Sequence, residues 1–465
     1  MVFHQIIYPL LSAAVCHKAR LSRDARFDGQ FFTAVKTTGI YCRSICPATP
    51  PKEENVEYFM HAHQAAQAGY RPCLRCRPDS APHSAAWLGN QALLNRAIRQ
   101  IEAGALDHQS LTDFADYLGV SDRYLRKLFV KHIGTAPKAY ALYHQCLTAK
   151  QLLHQTRLPI KDIALSCGFN SVRRFNDCFL KAISLSPSQV RNNEAPQPAN
   201  DLSLKLSYRP PFDWPSMQQF LETRAIASLE QISKDSYGRS FQINGVSGSF
   251  LATHLADKNA FAVKISLTDL SQLRAVIQKI RRILDLDTDI STVESHLAAQ
   301  LPQGFPLKHG LRLPGIWSVF EAGVRAILGQ QVSVQAAKNL VSQLVAELGK
   351  HNDQKCFFPT PQSICDSTLG FFRMPAARKQ SLKSLAEHFL TSTEAEDPDS
   401  WLAIKGIGPW TVNYAKMRGL NDPDIFLGSD LGVIRAIEQC PKKTFDAAAV
   451  APWRSYLTFQ LWNQL

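Results

Sequence analysis

Long hydrophobic runs are missing from this chain of 465 residues: 45% of it is hydrophobic, yet no apolar stretch reaches the length that crosses a bilayer. A membrane protein is therefore not expected, nor a membrane partner. The opening MVFHQIIYPLLSAAVC has an apolar run with no basic region ahead of it, and Val15 before Cys16 does not suit a small-residue cleavage site. A secretory signal is not expected either. A disulfide framework is also lacking. Of eleven cysteines, four form one tight constellation and seven are scattered, the usage of a reducing compartment with a metal site. The expected location is cytoplasmic.

Acidic residues are scarce in the first part of the chain. Lys plus Arg against Asp plus Glu runs 10 to 6 over residues 1–80, 14 to 7 over 81–193 and 28 to 26 over 194–465. Of the net charge of +13, +11 therefore lies in the first 193 residues. A basic N-terminal half suits contact with a polyanion, although a solvated basic surface gives the same tally. The length accommodates three or four compact units rather than one core.

What is there begins with TTGIYCRSIC, then 26 residues, then CLRC, which supplies Cys42, Cys46, Cys73 and Cys76. Two cysteine pairs joined by such a loop can close a tetrahedral S₄ site, and thiolates favour zinc. A Cys₄ set by itself serves equally as a structural staple. Four thiolates on Zn²⁺ leave a formal charge of −2, so each sulfur stays nucleophilic. The flanking RFDGQFFTAVKTTGIYCRSICPA, PKEENVEYF and AGYRPCLRCRP resemble the zinc domain of Ada-type proteins, which take methyl groups from DNA methylphosphotriesters, over residues 16–78. The resemblance implies Cys42 as suicidal methyl acceptor, with Cys46, Cys73 and Cys76 as the other ligands of one zinc ion. Methylation would make Cys42 a neutral thioether and drop the site to −1, which predicts tighter binding to phosphates.

LTDFADYLGVSDRYLRKLFVKHIG reads as a helix from Leu111, a turn at Gly119 and a second helix capped by Ser121, with Ala115 and Gly119 small where helices cross. The pattern recurs in IKDIALSCGFNSVRRFNDCFLK with Ala164, Gly168 and Ser171. One such unit is also compatible with a packed helical hairpin. Two in tandem, joined by an amphipathic run over residues 138–155, resemble the DNA-binding domain of AraC-type regulators. FLKAISLSPSQVR matches that family's closing signature, except that Ser184 stands where glycine is usual. Arg123, Arg126 and Lys127 on one recognition helix, and Arg173, Arg174 and Asn176 on the other, can reach base edges or phosphates.

The Pro-bearing EAPQPAND reads as a linker. Beyond it LSLKLSYRPP, GRSFQINGVSGSFLATHL and FAVKISLTD alternate as strands, with helical runs at residues 215–222 and 271–284. This α/β layer carries no chemistry of its own. It resembles the N-terminal, TBP-like α+β domain of AlkA-type DNA-3-methyladenine glycosylase II. From Leu313 the pattern predicts a long amphipathic helix, a break at residues 329–333 and another helix.

KGIGPW is then a Gly-x-Gly turn between helical patterns, able to hold an anion on free N–H groups at the second helix's start. A bare turn of that kind is also an ordinary helix–helix connection. Followed at distance by Asp430, it resembles the helix-hairpin-helix and catalytic Asp of base-excision glycosylases. That resemblance implies Gly406 and Gly408 at a DNA phosphate, Asp430 as the catalytic carboxylate, Trp410, Tyr414 and Trp462 as an aromatic pocket, and Gln331 as a plug for the hole left by an extruded base. It further implies a monovalent cation on the carbonyls of Leu402, Ile404 and Ile407. At Asn463 the usual second pocket aromatic is missing, and Gly432 is expected to leave the slot roomier. Trp410 occupies the place where strand-cleaving relatives carry a Schiff-base lysine, so base removal without strand cleavage is expected. Only Cys440 follows the hairpin, so an iron–sulfur cluster is not.

Together these readings predict a multidomain chain, mainly α with α+β parts: a Cys₄ zinc domain over residues 1–80, a tandem helix-turn-helix domain over 84–193, a linker over 194–202, a TBP-like α+β domain over 203–290 and an all-α helix-hairpin-helix glycosylase domain over 291–465. The implied function is DNA alkylation repair and response, with excision of alkylated purines such as 3-methyladenine. The PCHR motif of O⁶-methylguanine methyltransferases is absent, so repair of that lesion is not expected. The expected partners are double-stranded DNA and, for an activator, RNA polymerase; a monomer is expected. One alternative is an activator whose C-terminal half is an inactive DNA clamp. Another is an N-terminal half that only tethers the glycosylase, with purely structural zinc.

Overall fold

Strands and helices come in blocks along the computed structural model, which describes residues 11–23, 27, 31–46, 48–60, 62–73, 75–76, 78, 92–191, 202–352, 355–440 and 445–464. The chain divides into two compact units, one drawn mainly from residues up to 194 and the other mainly from residues 195 onward. The expected linker falls at this division and, apart from its last residue, Leu202, lies outside the described residues. Among the described residues no helix is long and apolar enough to cross a membrane.

The first unit opens with helix α1 (Ala13–Leu21), capped by Ser12, and a four-stranded sheet of β1 (Phe32–Val35), β2 (Ile40–Arg43), β3 (Val56–Phe59) and β4 (Arg71–Pro72) in the order β3-β1-β2-β4. Helix α2 (Ala62–Gln67) closes a small core of Phe32, Ala34, Tyr41, Ala62 and Ala65. Helices α3 (Ala92–Glu102), α4 (Ala105–His108), α5 (Leu111–Tyr117), α6 (Asp122–Ile133), α7 (Pro137–Gln155), α8 (Ile160–Ser166), α9 (Val172–Ile183) and α10 (Pro187–Val190) follow. Their starts are set locally. Ser110 and Asp113 form a reciprocal capping box on α5, and the hydroxyls of Ser121 and Ser171 accept from Tyr124 N and Arg174 N at 3.2 Å.

Two expectations here change. Ala115 and Ala164 are fully buried where the helices cross, but a Cβ on Gly119 would touch nothing within 4 Å. Gly119 is needed for its left-handed φ of 75°, not for close packing. Helix α7 is not a two-faced bridge: twelve of its nineteen residues are buried, and among them Tyr140 packs on Phe129 and Gln145 donates to Asp107. Ser184 does cap α9 as glycine would, at φ 57°, and its N–H donates to Leu180 O at 2.8 Å.

In the second unit β5 (Leu202–Ser207), helix α11 (Trp214–Arg224), β6 (Glu230–Ile232), β7 (Ser236–Ile243), β8 (Val246–Leu255), β9 (Ala260–Leu267) and helix α12 (Leu273–Ile283) build an α+β layer. The antiparallel sheet has the order β5-β9-β8-β7-β6. Helices α13 (Ile290–Gln300), α14 (Val319–Gly329), α15 (Val334–Leu348), α16 (Pro361–Asp366), α17 (Ala376–Thr391), α18 (Pro409–Gly419), α19 (Leu431–Gln439) and α20 (Arg454–Trp462) follow. The long helix expected from Leu313 starts at Val319 instead, capped by Ser318, whose hydroxyl accepts from Glu321 N at 3.1 Å. Pro314 and Gly315 sit in an extended lead-in. Nine of its eleven residues are buried, so α14 is a central helix without a solvent face.

Close approach fixes α18 on α14. A Cβ on Gly419 would lie 3.0 Å from the Ala322 Cβ and Val319 Cα, and one on Gly323 would lie 2.8 Å from the fully buried Trp401 ring. The sheet is tied to the same helix by buried charges: Arg239 grips Glu321 through two hydrogen bonds of 2.8 and 3.2 Å, and Arg325 donates to Glu321 at 2.9 Å and to Glu230 at 2.8 Å. Burial would raise the Glu230 carboxyl, but Arg325 and Arg239 beside it bring it down to about 2.

Candidate functional site

The KGIGPW turn is built as the sequence suggests, with one difference. Its first arm, Pro398–Ala403, is a 3₁₀ helix rather than an α-helix. Gly406 has φ 88° and lies so close to Ser381 that a Cβ would come within 2.2 Å of the Ser381 hydroxyl, which donates to Lys405 O at 2.9 Å. Gly408 caps α18, and a Cβ there would meet nothing within 4 Å, so the outer side of the turn is open. Pro409 at the first helical position has no N–H to waste, which leaves the backbone donors of Trp410 and Thr411 at the helix start. Gln330 links this turn to the break after α14, donating to Gly406 O at 3.1 Å and Thr411 Oγ1 at 3.0 Å. The next residue, Gln331, is exposed, with its backbone held left-handed at φ 56°.

Asp430 caps α19. Its Oδ1 accepts from Gly432 N at 2.9 Å, Val433 N at 3.2 Å and the Trp462 indole N–H at 2.9 Å, while Oδ2 accepts from the Trp410 indole N–H at 3.1 Å. Two tryptophans from different helices thus meet on one carboxylate. Tyr414, one turn along α18 from Trp410, stacks on it with centroids 5.4 Å apart and lies 6.4 Å from the Trp462 ring. Asp430, Trp410, Tyr414 and Trp462, separated in sequence, are brought together; Gln331 lies on the loop that Gln330 ties to the turn.

Sequence reasoning missed three residues of this slot. Phe220, from α11, stacks on Trp462 at 6.2 Å and 19°. It supplies another ring where Asn463, which only caps α20, does not. Arg224 and Arg418 lie over Phe220, 3.7 and 4.7 Å from its centroid, and Arg418 also lies 5.8 Å from that of Tyr414. Burial lowers Arg224 to about 10. The only available signal for Phe220 and Arg224 was FLETR at the end of α11, which carries no mark of its destination. The expected roominess at Gly432 is corrected. A Cβ there would lie 3.0 Å from Asp430 Oδ1 and 3.3 Å from Trp462 Cδ1, so Gly432 permits the two to touch.

In the first unit, β2 carries Cys42 and Cys73 follows β4, where its N–H donates to Tyr41 O at 2.9 Å. The Arg43 backbone N–H donates to Cys76 Sγ at 3.4 Å. The sulfurs of Cys42, Cys46, Cys73 and Cys76 all lie within 4.8 Å of one another. Four ligands at a zinc–sulfur distance of about 2.3 Å stand roughly 3.8 Å apart in a tetrahedron, so the set fits zinc with small adjustment. Hydrogen bonding among the thiols lowers Cys46 to about 7 and raises Cys42. Cys42 and Cys46 are half-buried, Cys73 and Cys76 buried.

The two recognition helices repeat each other in detail. From Ser121 and from Ser171, ten successive residues have the same pattern of burial, with Leu125 and Phe129 matched by Phe175 and Phe179. Arg123, Arg126, Lys127, Arg173, Arg174 and Asn176 are all exposed. Arg126 makes a loose pair with Asp122 at 3.6 Å, which costs little to break.

Comparison with known proteins finds three family models along the chain: the metal binding domain of Ada at residues 15–79, a helix-turn-helix domain at 114–193 and the AlkA N-terminal domain at 203–318. A probable bifunctional transcriptional activator/DNA repair enzyme AlkA of Mycobacterium tuberculosis is 34% identical over 97% of this chain and 96% of its own. DNA-3-methyladenine glycosylase 2 of Escherichia coli is 31% identical over 55% of this chain and 95% of its own. The bifunctional transcriptional activator/DNA repair enzyme Ada of the same organism is 38% identical over 26% of this chain and 32% of its own.

Proposed function

Since the chain belongs to the family of AlkA-type bifunctional transcriptional activators and DNA repair enzymes, with an Ada-type zinc domain at its start, we propose that it excises alkylated purines such as 3-methyladenine from duplex DNA and leaves the strand intact. The family is one of DNA-binding proteins that repair alkylation damage and regulate the response to it. The observation that carries the reading is the convergence of the Trp410 and Trp462 indole N–H groups on the two oxygens of Asp430. It sets a negative charge at the edge of an aromatic slot.

In that reading the duplex is held at Gly406 and Gly408, where the N–H groups at the start of α18 meet a phosphate. Gln331 fills the space vacated by the extruded base, offsetting part of a flipping cost of a few kcal/mol. The base enters among Trp410, Tyr414 and Trp462. As its bond to the sugar breaks, the electron pair stays with the base and positive charge grows on the sugar, which Asp430 stabilises. Water completes the hydrolysis, its hydroxyl going to C1′ and its remaining proton to solvent, since the alkylated base leaves neutral. Trp410 cannot form a Schiff base, which is why no strand cleavage follows. The carbonyls of Leu402, Ile404 and Ile407 would hold a monovalent cation beside the phosphate. Ile404 O already accepts the Ile407 N–H at 3.0 Å and has one lone pair left.

Residues 1–80 form the methyl-accepting part of this proposal, residues 84–193 the promoter reader, and residues 203–290 and 291–465 the two layers of the glycosylase. Cys42, Cys46, Cys73 and Cys76 hold zinc, which when bound keeps the thiolates charged at neutral pH. A bond forms between the Cys42 sulfur and the methyl carbon, the methyl–oxygen bond breaks, and a phosphodiester anion leaves. The spent thioether removes one negative charge beside the duplex and tightens promoter binding. Exposed Arg123, Arg126, Lys127, Arg173, Arg174 and Asn176 make the contacts to DNA. The activator acts as a monomer on RNA polymerase in the cytoplasm.

Two measurements test this. Purified protein should release 3-methyladenine from methylated duplex, and Asp430→Asn should lower that release by orders of magnitude while binding to an abasic duplex stays within a few-fold. Transfer of one labelled methyl group to the protein should be abolished by Cys42→Ala. Parallel loss of binding and release in Asp430→Asn would instead mean misfolding and defeat the assignment.

A further inference from the structure

Each recognition helix carries one large apolar residue that its own packing does not use. Val130 on α6 is 56% exposed and Leu180 on α9 is 51% exposed, and both stand nine residues after the serine that caps their helix. At about 100° per residue, Val130 points roughly 20° from Arg123, between the directions of Arg126 and Lys127. Leu180 holds the same place relative to Arg173, between Asn176 and Asp177. All eight residues are exposed, while Leu125 and Phe129 on α6, and Phe175 and Phe179 on α9, are buried on the opposite side.

The four members of each strip follow the spacing i, i+3, i+4, i+7. A helix lying in a major groove reaches successive base edges with that spacing. A single exposed aliphatic side chain is ordinary. Two at the same position of a repeat, each on the midline of a strip of donors and acceptors, share a task. Arg123, Arg126, Lys127 and Arg173 suit guanine edges or phosphates, Asn176 an adenine edge and Asp177 a cytosine amino group. Valine and leucine can do none of this. The apolar feature that a major groove offers them is the 5-methyl group of thymine.

We propose that Val130 and Leu180 are specificity-determining residues of the DNA reader, each in contact with the 5-methyl group of one thymine. The inference rests on the reading of α6 and α9 as recognition helices and deepens it. Because the two helices stand on one chain and enter successive turns of the groove, the two thymines lie about 10 base pairs apart. Each methyl group taken out of water by such a contact contributes about fourfold to affinity.

The test uses full-length protein and a duplex enriched from a random pool by binding to it. Thymines of that duplex are replaced one at a time by uracil, which removes the methyl group and keeps the base pair. Wild type should lose about fourfold in affinity at two positions roughly one helical turn apart. Val130→Ala should become indifferent to uracil at one of these positions and Leu180→Ala at the other. The slope of affinity against salt should stay as in wild type, since no phosphate contact is lost. A wild type indifferent to uracil at every position overturns the proposal, as does a sensitivity to uracil that survives in both variants. A loss of affinity in the variants that leaves the thymine-to-uracil ratio unchanged also overturns it, because misfolding or a lost backbone contact acts in that way. A changed mass of the DNA-free variants in sedimentation would mean that the two residues meet a second copy of the chain, and overturns it too. Enrichment of no common sequence defeats the reading of α6 and α9 itself, and the proposal with it.

Discussion

Replacing Gly432 by alanine adds one methyl group at the place where the carboxylate and the indole touch. The new Cβ would lie 3.0 Å from Asp430 Oδ1, 3.3 Å from Trp462 Cδ1 and 3.4 Å from Trp462 Nε1, so one neighbour must retreat by a few tenths of an ångström. Oδ1 is held by the backbone N–H groups of Gly432 and Val433 as the cap of α19 and cannot move without losing them. Trp462 is therefore the group displaced, and its 2.9 Å bond to Oδ1 is the one that stretches. A hydrogen bond to a charged acceptor contributes about 1.5–3 kcal/mol. Losing most of that from the positioning of Asp430 corresponds to a rate loss of roughly 10- to 100-fold. Alanine also favours the helix by up to about 1 kcal/mol over glycine, which offsets the crowding. The expected result is a 10- to 100-fold slower single-turnover release of 3-methyladenine, with a melting temperature within a few degrees of wild type. Release within twofold of wild type at unchanged melting would show that Asp430 does not depend on Trp462 for its placement.

Cys73→Ala removes one of the four proposed zinc ligands and should abolish stoichiometric zinc binding and the fold of residues 1–80; bound zinc with native circular dichroism would refute the ligand assignment. Ser184→Gly relieves a left-handed backbone that costs an L-residue about 1 kcal/mol and should raise the denaturation midpoint of the first unit by up to that amount, while a lowered midpoint would contradict it. Glu230 is held down near 2 by Arg325 and Arg239 against its burial, so its contribution to stability is complete above the ordinary carboxylate value of about 4.3 and is lost as pH falls towards 2. Glu230→Gln should lower stability by about 3–5 kcal/mol at pH 7 and flatten the acid side of the stability profile; an unchanged slope between pH 4 and 2 would refute this.

What could be read from the sequence was what a short stretch encodes. Ser121 and Ser171 cap helices within three residues of themselves, and Cys42 and Cys73 sit on or beside adjoining strands of one small sheet. KGIGPW likewise fixes its turn locally. What stayed hidden depended on distant packing. The burial of α7 draws on residues well before it, Tyr41 and Glu102 among them, and that of α14 on α17 and α18 well after it, and periodicity cannot distinguish a central helix from a two-faced one. Phe220 reaches the slot because α11 packs beside α20, where its ring meets Phe459 at 4.8 Å as well as Trp462. Gly432 looked like an absence of bulk and proved to be a point of contact, a distinction that needs the position of Trp462.

The two oxygens of Asp430 are differently engaged, and this shows how a capping residue could also serve the catalytic role proposed for it. Oδ1 accepts three N–H groups, two from the helix it starts and one from Trp462, so it is committed to holding the side chain in place. Oδ2 accepts only from Trp410 among the described residues and keeps a lone pair for a positive centre. A helix cap is a stiff mount, because leaving it exposes unpaired N–H groups. Glutamate, one methylene longer, is not among the favoured capping residues, whereas asparagine caps as well as aspartate but brings no charge. Asp430→Asn therefore keeps the mount and removes the charge, which is why unaltered duplex binding with lost excision is the outcome that separates catalysis from architecture.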